Sequence, residues 1–194
     1  MDLLIPEDAF SDGQVRSKLW LAESFNSWSQ ELFFHSTEEL VLTWYGSWIG
    51  LGPFLMLSVS KLQFKVVNLV ELDSVSLKTS EKILEYWRLK GLTINLIHGD
   101  MNQFEPETNS PNQVFVNTAC EHDANTAWLN RLPKNSYAIL QSTNMVHPEH
   151  INLALSLSDF SIQIENFLTV LKRDQIDFKY ETKSFSRFMI FGKK

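Results

Sequence analysis

Apolar residues are distributed along the chain in two kinds of pattern. Between about residues 11 and 36, apolar side chains recur at spacings of three and four, which predicts an N-terminal helix. Compact apolar runs predict five strands at 40–45, 65–72, 93–100, 114–119 and 136–142. Helices are predicted in the remaining segments, at 51–61, 74–91, 124–130 and 158–173. Strands that alternate with helices in this way form a parallel sheet with helices on both faces.

The C-terminal part of the chain has a different pattern. Residues 177–182 and 185–192 alternate in polarity across a short connection, which predicts an antiparallel hairpin. The predicted fold class is therefore α/β, a three-layer sandwich around a mostly parallel sheet that ends in this hairpin. No repeat or linker divides the sequence, so we expect a single domain over 1–194, with an N-terminal helical segment at 1–37 and the sheet-forming core at 38–192.

Composition narrows the class of partner. The 194 residues are enough for one sizeable core, and 44% hydrophobic with 21% charged residues is an ordinary globular balance. The net charge of −6, with the lysines and arginines scattered, argues against binding to nucleic acid or to an anionic membrane.

The sequence also bears on the compartment. No segment approaches the roughly 18 uninterrupted apolar residues of a membrane span, and the acidic start without a long apolar core predicts no signal peptide. The single cysteine, Cys120, can form neither an internal disulfide nor a zinc cluster. We expect a cytoplasmic protein without membrane contact, and the sequence leaves its oligomeric state open.

Residues that carry chemistry follow the predicted strands. The carboxyl ends of parallel strands meet at one edge of the sheet, where ligands bind. Glycines allow close approach of a ligand, an acid after the second strand can accept hydrogen bonds from ribose hydroxyls, and one after the third can accept from the amine of a base. Each residue also has a structural interpretation, as a tight turn or a helix cap. The four strand ends carry, in order, Gly46, Gly50 and Gly52; Glu71 and Asp73; Asp100 and Met101; and Asn117, Cys120, Glu121 and His122.

In this order the residues resemble those of class I S-adenosylmethionine-dependent methyltransferases, over about 38–192. The resemblance implies a seven-stranded, Rossmann-like sheet and S-adenosylmethionine as cofactor. In "WYGSWIG", Gly46 and Gly50 match the first and third glycines of the family's first motif, whereas Trp44 replaces its acid and Trp48 its middle glycine. "VELD" and "HGDM" match the ribose and adenine sites. The implied cofactor-binding residues are Gly46, Ser47, Trp48, Gly50, Glu71, Leu72, Asp100, Met101 and Asn117.

The segment "VNTACEHD" occupies the position that faces the methyl acceptor in that family. It is not the Asn-Pro-Pro-aromatic signature of DNA-base methylation, because Thr118 and Ala119 stand where the prolines would be. A small molecule or a protein side chain is therefore the expected acceptor, rather than nucleic acid. The sulfonium methyl is already electrophilic, so a general base is needed only when the acceptor loses a proton. Glu121 and His122 are the predicted catalytic residues, with His122 as the natural proton acceptor.

Two features have more than one interpretation. The rings of Trp44 and Trp48 either wall the cofactor and contact its sulfonium, or simply pack under the first helix. "HPEH" at 147–150, with His122, invites a metal interpretation. We expect no metal, because Pro148 indicates a helix start and the sequence dictates no third ligand.

Two other functions stay open. A non-catalytic, methyltransferase-like binding or scaffold protein is consistent with the altered first motif, although such a protein has no need of both Glu71 and Asp100. An NAD-dependent oxidoreductase is disfavoured by the absent Gly-x-Gly-x-x-Gly and by the terminal hairpin. The N-terminal helix, the loop 104–113 and the region after 142 are expected to cover the acceptor side.

Overall fold

A seven-stranded sheet runs through the centre of the protein, which a computed structural model describes over residues 5–32, 39–107 and 112–194. The strands are β1 (Glu39–Tyr45), β2 (Gln63–Glu71), β3 (Thr93–His98), β4 (Gln113–Asn117), β5 (Tyr137–Thr143), β6 (Thr169–Lys179) and β7 (Ser184–Lys193). Their order is β3-β2-β1-β4-β5-β7-β6. β1 to β5 pair in parallel, whereas β7 pairs antiparallel with both β5 and β6. The predicted mostly parallel sheet with an antiparallel end is confirmed.

Helices cover both faces of the sheet, which confirms the three-layer arrangement. They are α1 (Asp12–Leu32), α2 (Leu51–Val59), α3 (Ser74–Ile83), α4 (Glu85–Leu89), α5 (Ala127–Arg131) and α6 (Leu157–Ile164). One core packs α1, α2 and α3 against one face, through residues such as Phe25 and Met56. The other packs α5 and α6 against the opposite face, through Trp128 and Phe160. Successive residues of β7, such as Phe188 and Met189, enter opposite cores, as the pleat of a strand requires.

The predicted strand positions 40–45, 65–72, 93–100, 114–119 and 136–142 agree with β1 to β5 to within two residues at each end. The predicted helix 158–173 is wrong in its second half, because α6 ends at Ile164 and β6 already begins at Thr169. Its β-branched and apolar residues continue a helical pattern locally, but pairing along the whole of β7 holds them in a long antiparallel hairpin. The predicted helix 74–91 is also divided at Leu84 into α3 and α4.

Among the described residues, no helix has the length and apolar content needed to cross a membrane. The part of the predicted N-terminal helix at 33–36 lies outside these residues.

Candidate active site

The carboxyl ends of β1, β2 and β4 open onto a cleft of about 480 Å³. The N-terminal segment, α1, β7 and the region after β5 also contribute to its walls. Five of the predicted site residues meet there, from loops that the sheet brings together. The lining residues are Pro6, Asp8, Gln14, Lys18, Gly46, Trp48, Glu71, Thr118, Ala119, Glu121, His122, Glu149 and Arg187.

The loop after β1 keeps a glycine-type backbone although one of its key positions holds a tryptophan. Gly46, Trp48 and Gly50 have φ angles of 57°, 49° and 84°, all in the left-handed region that glycine adopts freely. Two hydrogen bonds hold Trp48 in this conformation. Its N–H donates to Glu71 Oε2 at 2.6 Å, and its carbonyl accepts from Ser80 Oγ at 2.7 Å. The substitution of the motif's middle glycine therefore leaves the loop in a glycine-type conformation, held by α3 and the end of β2.

The two tryptophans of the first motif have different roles. Trp44 is buried in the core beneath α2, where a Cβ atom at Gly52 would overlap its indole ring. Simple packing is thus the correct interpretation for Trp44, and Gly52 is the residue that makes room for it. Trp48 is half-buried and lines the cleft. Only Trp48 is placed to form part of a ligand-binding wall.

The two acids after β2 are also distinguished by the structure. Glu71 lines the cleft, and its Oε2 and Oε1 accept from the backbone N–H groups of Trp48 and Asp73, the latter at 3.0 Å. Asp73 instead caps α3, accepting from the backbone of Val75 at 3.0 Å and of Ser76 at 3.1 Å. The Ser76 hydroxyl, followed by these backbone groups, lowers the pKa of the Asp73 carboxyl. Asp73 is a helix cap, and Glu71 is the acid that faces the cleft.

The residues after β3 lie beside the cleft rather than in its lining. The N–H of Gly99 donates to the carbonyl of Glu71 at 3.0 Å, which places the turn at Asp100 next to the end of β2. Asp100 is exposed, and its Oδ1 accepts from the N–H of Asn102 at 2.8 Å. Leu72 is 69% exposed between these turns. Asp100 and Leu72 thus border the cleft at the end where Glu71 lies.

Asn117, predicted to bind cofactor, connects two loops of the site. It is fully buried, and its Oδ1 accepts from the N–H of Ala119 at 2.9 Å. Its Nδ2 donates to the Met101 sulfur at 3.4 Å. The amide of Asn117 therefore positions the loops after β3 and β4. Ser47, a further predicted residue, is buried and its hydroxyl has no hydrogen-bond partner among the described residues.

A cluster of buried charges also lines the cleft. Glu121, only 1% exposed, lies in a 3₁₀ turn after β4 (Cys120–His122), and its Oε1 is 3.4 Å from Arg187 Nη1 of β7. Its Oε2 is buried without a hydrogen-bond partner in the described part of the chain. Lys18 of α1 reaches the same cleft, and its ammonium donates to the side chain of Gln14. Burial, with a smaller contribution from Arg187, lowers the pKa of Lys18 to about 7.

Of these three charged residues, only Glu121 was predicted from the sequence, and Lys18 and Arg187 were not. Both have a signal in the sequence. Lys18 stands on the apolar stripe of α1, one turn before Leu21 and Ala22, where a solvent-exposed lysine is not expected. Arg187 stands within the apolar strand "FSRFMIFG", at a position that is only 8% exposed. A charged residue on a buried stripe needs a partner or a function.

Two histidines meet beside Glu121, and one of them comes from a distant part of the sequence. The predicted helix start at Pro148 is wrong, because 147–150 forms a turn that the His150 N–H closes onto the His147 carbonyl at 3.0 Å. This turn brings the centroid of the His150 ring to 4.8 Å from the centroid of the His122 ring. Glu121, His122 and His150 together offer ligand atoms within 4.8 Å of one another.

The segments expected to cover the acceptor side differ in their positions. α1 and the turn at 147–150 do line the cleft, through Lys18 and Glu149. Residues 104–107 of the loop 104–113 line a separate cavity with Lys65 and Asn95 and are not among the residues that line this cleft. Residues 108–111 of that loop lie outside the described residues.

Cys120 is not a nucleophile of this site. Its thiol is buried beside Asn117, and burial, followed by the charges of Glu121 and Asp123, raises its pKa well above the usual range. A thiolate is the reactive form, so this environment keeps Cys120 inert.

The sequence matches no protein-family model and no curated protein. Many solved structures nevertheless share its fold. A candidate RNA methyltransferase from Pyrococcus horikoshii is 18% identical, with a TM-score of 0.59 over 100% of this chain and 90% of that one. An S-adenosylmethionine-dependent methyltransferase from Leishmania major is 14% identical, with a TM-score of 0.66 over 97% and 78% of the two chains. The N-methyltransferase NodS from Bradyrhizobium japonicum is 11% identical, with a TM-score of 0.61 over 98% and 100%.

These likenesses establish the fold. The chain has the class I methyltransferase fold, as the resemblance in the first motif, in "VELD" and in "HGDM" implied. At such identities a shared fold does not determine the reaction, which has to be argued from the site.

Proposed function

We propose that the protein is an S-adenosylmethionine-dependent methyltransferase whose acceptor is a small molecule or a protein side chain. One observation carries the proposal. In a sheet of methyltransferase order, Glu71 ends β2 and Asp100 follows the neighbouring strand β3, next to a loop in which Gly46 and Gly50 have left-handed backbones. These are the groups that would receive the ribose, the adenine amine and the amino-acid part of the donor.

The donor end of the cleft supports this assignment chemically. Asp100 Oδ1 accepts one backbone hydrogen bond, which leaves Oδ2 for an exocyclic amine. Both oxygens of Glu71 accept from the backbone and retain a second lone pair each, so that they can still accept from two ribose hydroxyls. Leu72 and Met101 would then flank the adenine, and Asn117 would position the Met101 side chain.

The charge of the cleft also fits a cationic donor. Four carboxylates line it against two basic side chains, Lys18 and Arg187. An excess of negative charge in a partly enclosed cleft attracts a sulfonium and disfavours a phosphate backbone. Although one structural neighbour is described as an RNA methyltransferase, this cleft and the net charge of −6 favour a smaller acceptor.

The reaction needs alignment more than activation. S-Adenosylmethionine supplies an electrophilic methyl group when it is bound, and the walls of the cleft would hold the acceptor in line with it and exclude water. Glu121 and His122 follow β4, which is separated from Glu71 at the end of β2 by β1, and the acceptor would enter at their side of the cleft. The exposed imidazole of His122 is placed to take a proton from a hydroxyl or ammonium acceptor.

The alternatives are less well supported. In the usual NAD-binding order the sixth strand continues the parallel sheet, whereas here antiparallel β7 lies between β5 and β6. A scaffold with a closed pocket is disfavoured because Trp44 packs away from the cleft and Trp48 forms only part of its wall.

A binding experiment tests the proposal without knowledge of the acceptor. At about 100 times its Kd, S-adenosylmethionine or its demethylated product should stabilise the protein by about 2.7 kcal/mol, which is about 5–10 °C in Tm for a chain of this size. NAD at the same concentration should have no effect. Stabilisation by NAD alone, or by none of the three, would contradict the assignment.

A pair of variants locates the binding. Asp100→Asn keeps the oxygen that accepts from Asn102 but turns the other into a donor facing the adenine amine, so affinity should fall at least about tenfold. Asp174→Asn, the same change on the distant edge strand β6, is the matched control and should bind normally. Equal affinity of the two variants would mean that Asp100 does not contact the adenine.

A further inference from the structure

We infer that Glu121, His122 and His150 form a binding site for a borderline divalent transition metal ion, for which Zn²⁺ is the representative. Their ligand atoms all lie within 4.8 Å of one another. The sequence alone led us to expect no metal, because Pro148 indicated a helix start and the sequence dictated no third ligand. Metal binding requires no methyl donor, so this inference stands or falls separately from the proposed function.

The ligand set selects the kind of metal. Two imidazole nitrogens and one carboxylate are the donors of open zinc and iron(II) sites, whereas Mg²⁺ and Ca²⁺ prefer sites built from oxygen alone. A single carboxylate with two histidines leaves one or more coordination positions for water or another molecule. Glu121 and His122 both line the cleft, so these positions would face the proposed acceptor. With the ion bound, His122 would be a ligand, so it could act as the proton acceptor only in the metal-free protein.

Glu121 has one carboxylate oxygen available for a metal. Oε1 faces Arg187 at 3.4 Å, while Oε2 is buried and has no hydrogen-bond partner in the described part of the chain. A buried, unpartnered carboxylate oxygen is unfavourable unless something else satisfies it. A cation held by Oε2 would satisfy it, and Arg187 would then orient the carboxylate from its other oxygen.

His150 is already oriented as a metal ligand. Its Nδ1 lies 2.7 Å from the carbonyl oxygen of Met145. Since a carbonyl only accepts, Nδ1 carries the proton, and the lone pair is on Nε2. This arrangement, in which one ring nitrogen binds a backbone carbonyl and the other is free, is the usual support of a metal-binding histidine.

Hydrogen bonds to backbone carbonyls connect the two segments that carry the ligands. The N–H groups of Ile151 and Asn152 both donate to the carbonyl of Glu121, at 2.9 and 3.0 Å, and Asn152 Nδ2 donates to the Asp123 carbonyl at 3.1 Å. Ligand atoms around an ion at about 2.1 Å are roughly 3–4 Å apart, so a closing movement of about 1 Å suffices. His122 is exposed and its ring can make that movement by rotation.

Zinc affinity of single-histidine variants tests the site. The 194-residue chain, without a polyhistidine tag, is titrated with Zn²⁺ against a chromophoric chelator, with excess Mg²⁺ present. One Zn²⁺ ion per chain is expected, with Mg²⁺ unable to compete. His122→Ala and His150→Ala should each weaken binding by at least about 100-fold, since even loss of a supporting residue commonly costs 10–100-fold. Because His122 is exposed, its variant is expected to fold normally, and the unchanged Tm of the metal-free protein checks this.

His147→Ala is the matched control. The centroids of the His147 and His150 rings are 5.2 Å apart, but His147 is outside the inferred ligand set. Affinity within about threefold of the parent is expected for this variant. A loss in His147→Ala with none in His122→Ala would mean that the "HPEH" pair binds the ion by itself, and absence of stoichiometric Zn²⁺ binding would also overturn the inference. If Zn²⁺ binds normally but S-adenosylmethionine does not, the proposed function fails and the metal site stands.

Discussion

The two sides of the cleft satisfy their polar groups in different ways. On the proposed donor side, formed by the loop at Gly46–Gly50 with Glu71 and Asp100, the carboxylates accept from backbone N–H groups of their own turns and, for Glu71, also of the loop after β1. On the proposed acceptor side, formed by Lys18, Glu121, Arg187 and the exposed His122, the first three are buried charged side chains that come from three separate elements and face one another.

The donor side is therefore preorganised for a ligand, whereas the acceptor side holds buried charges that lower the stability of the fold. Backbone-satisfied carboxylates are held in place at little cost, so the donor side can receive a ligand without rearrangement. Buried charges that are only partly paired are unfavourable for stability, and such groups occur where chemistry needs them. The comparison predicts that changes on the acceptor side affect folding more than equivalent changes on the donor side.

Removal of the central acid on each side is the strongest test of this comparison. Glu121→Ala leaves Arg187 buried without its partner and should lower the free energy of unfolding by about 3–5 kcal/mol. Glu71→Ala, at a half-buried position where water can satisfy the freed N–H groups, should lower it by about 1 kcal/mol. Urea unfolding measures both.

The double variant Glu121→Ala/Arg187→Met provides the internal check. It removes both charges and should recover much of the stability lost in the single variant. Equal losses at Glu121 and Glu71, or no recovery in the double variant, would show that the acceptor side is not an electrostatic cluster.

Lys18→Met should stabilise the protein, with a pH dependence that identifies the cause. The pKa of Lys18 is about 7 in the fold, against 10.5 for the exposed group, so the buried charge is unfavourable. Between these values the unfolded chain binds more protons, so stability conferred through Lys18 rises as pH rises. At about pH 6 the variant should be more stable by roughly 2–3 kcal/mol, and the gap should narrow towards about pH 10.

Chemical unfolding of both proteins across this pH range measures the gap. A constant difference at all pH values would point to improved packing by methionine instead of relief of a buried charge. Lys134→Met, at an exposed position of the same chain, is the control and should show neither effect.

The smallest effect is expected at the helix cap on the donor side. Asp73→Ala should lower stability by about 1 kcal/mol at neutral pH, through loss of the cap of α3. Because the pKa of Asp73 is lowered in the fold, its contribution is present above the ordinary carboxyl range and is lost as the pH falls through the lowered pKa. The difference between the parent and the variant should therefore shrink in acid.

Affinity for S-adenosylmethionine should be nearly unchanged in Asp73→Ala, since Glu71 and not Asp73 faces the cleft. A large loss of affinity in this variant would reassign the ribose contact to Asp73.

Sequence patterns could predict the sheet and most of the donor side. Apolar runs located β1 to β5 because buried parallel strands are nearly continuous in apolar residues, and Glu71 and Asp100 lie at the carboxyl ends of two of these runs. The extent of β6 could not be predicted in this way, because its residues are mostly half-buried or exposed and their conformation is decided by pairing with β7.

The residues of the acceptor side could not be predicted from local sequence patterns, for a related reason. Lys18, Glu121 and Arg187 come from α1, a 3₁₀ turn and β7, and His150 meets His122 only because a turn folds back onto Glu121. Such contacts depend on the packing of distant elements. What the sequence did offer was the unusual placement of Lys18 and Arg187 on apolar stripes.

A crystal structure of the protein with S-adenosylhomocysteine, the demethylated donor, would show whether the cleft binds the methyl donor. We expect the ligand to lie in the cleft, with its adenine amine within hydrogen-bond distance of Asp100 Oδ2 and its ribose hydroxyls on Glu71. Its sulfur would then point toward Glu121 and His122. Binding at any other place, or a cleft that stays empty at saturating ligand, would contradict this expectation.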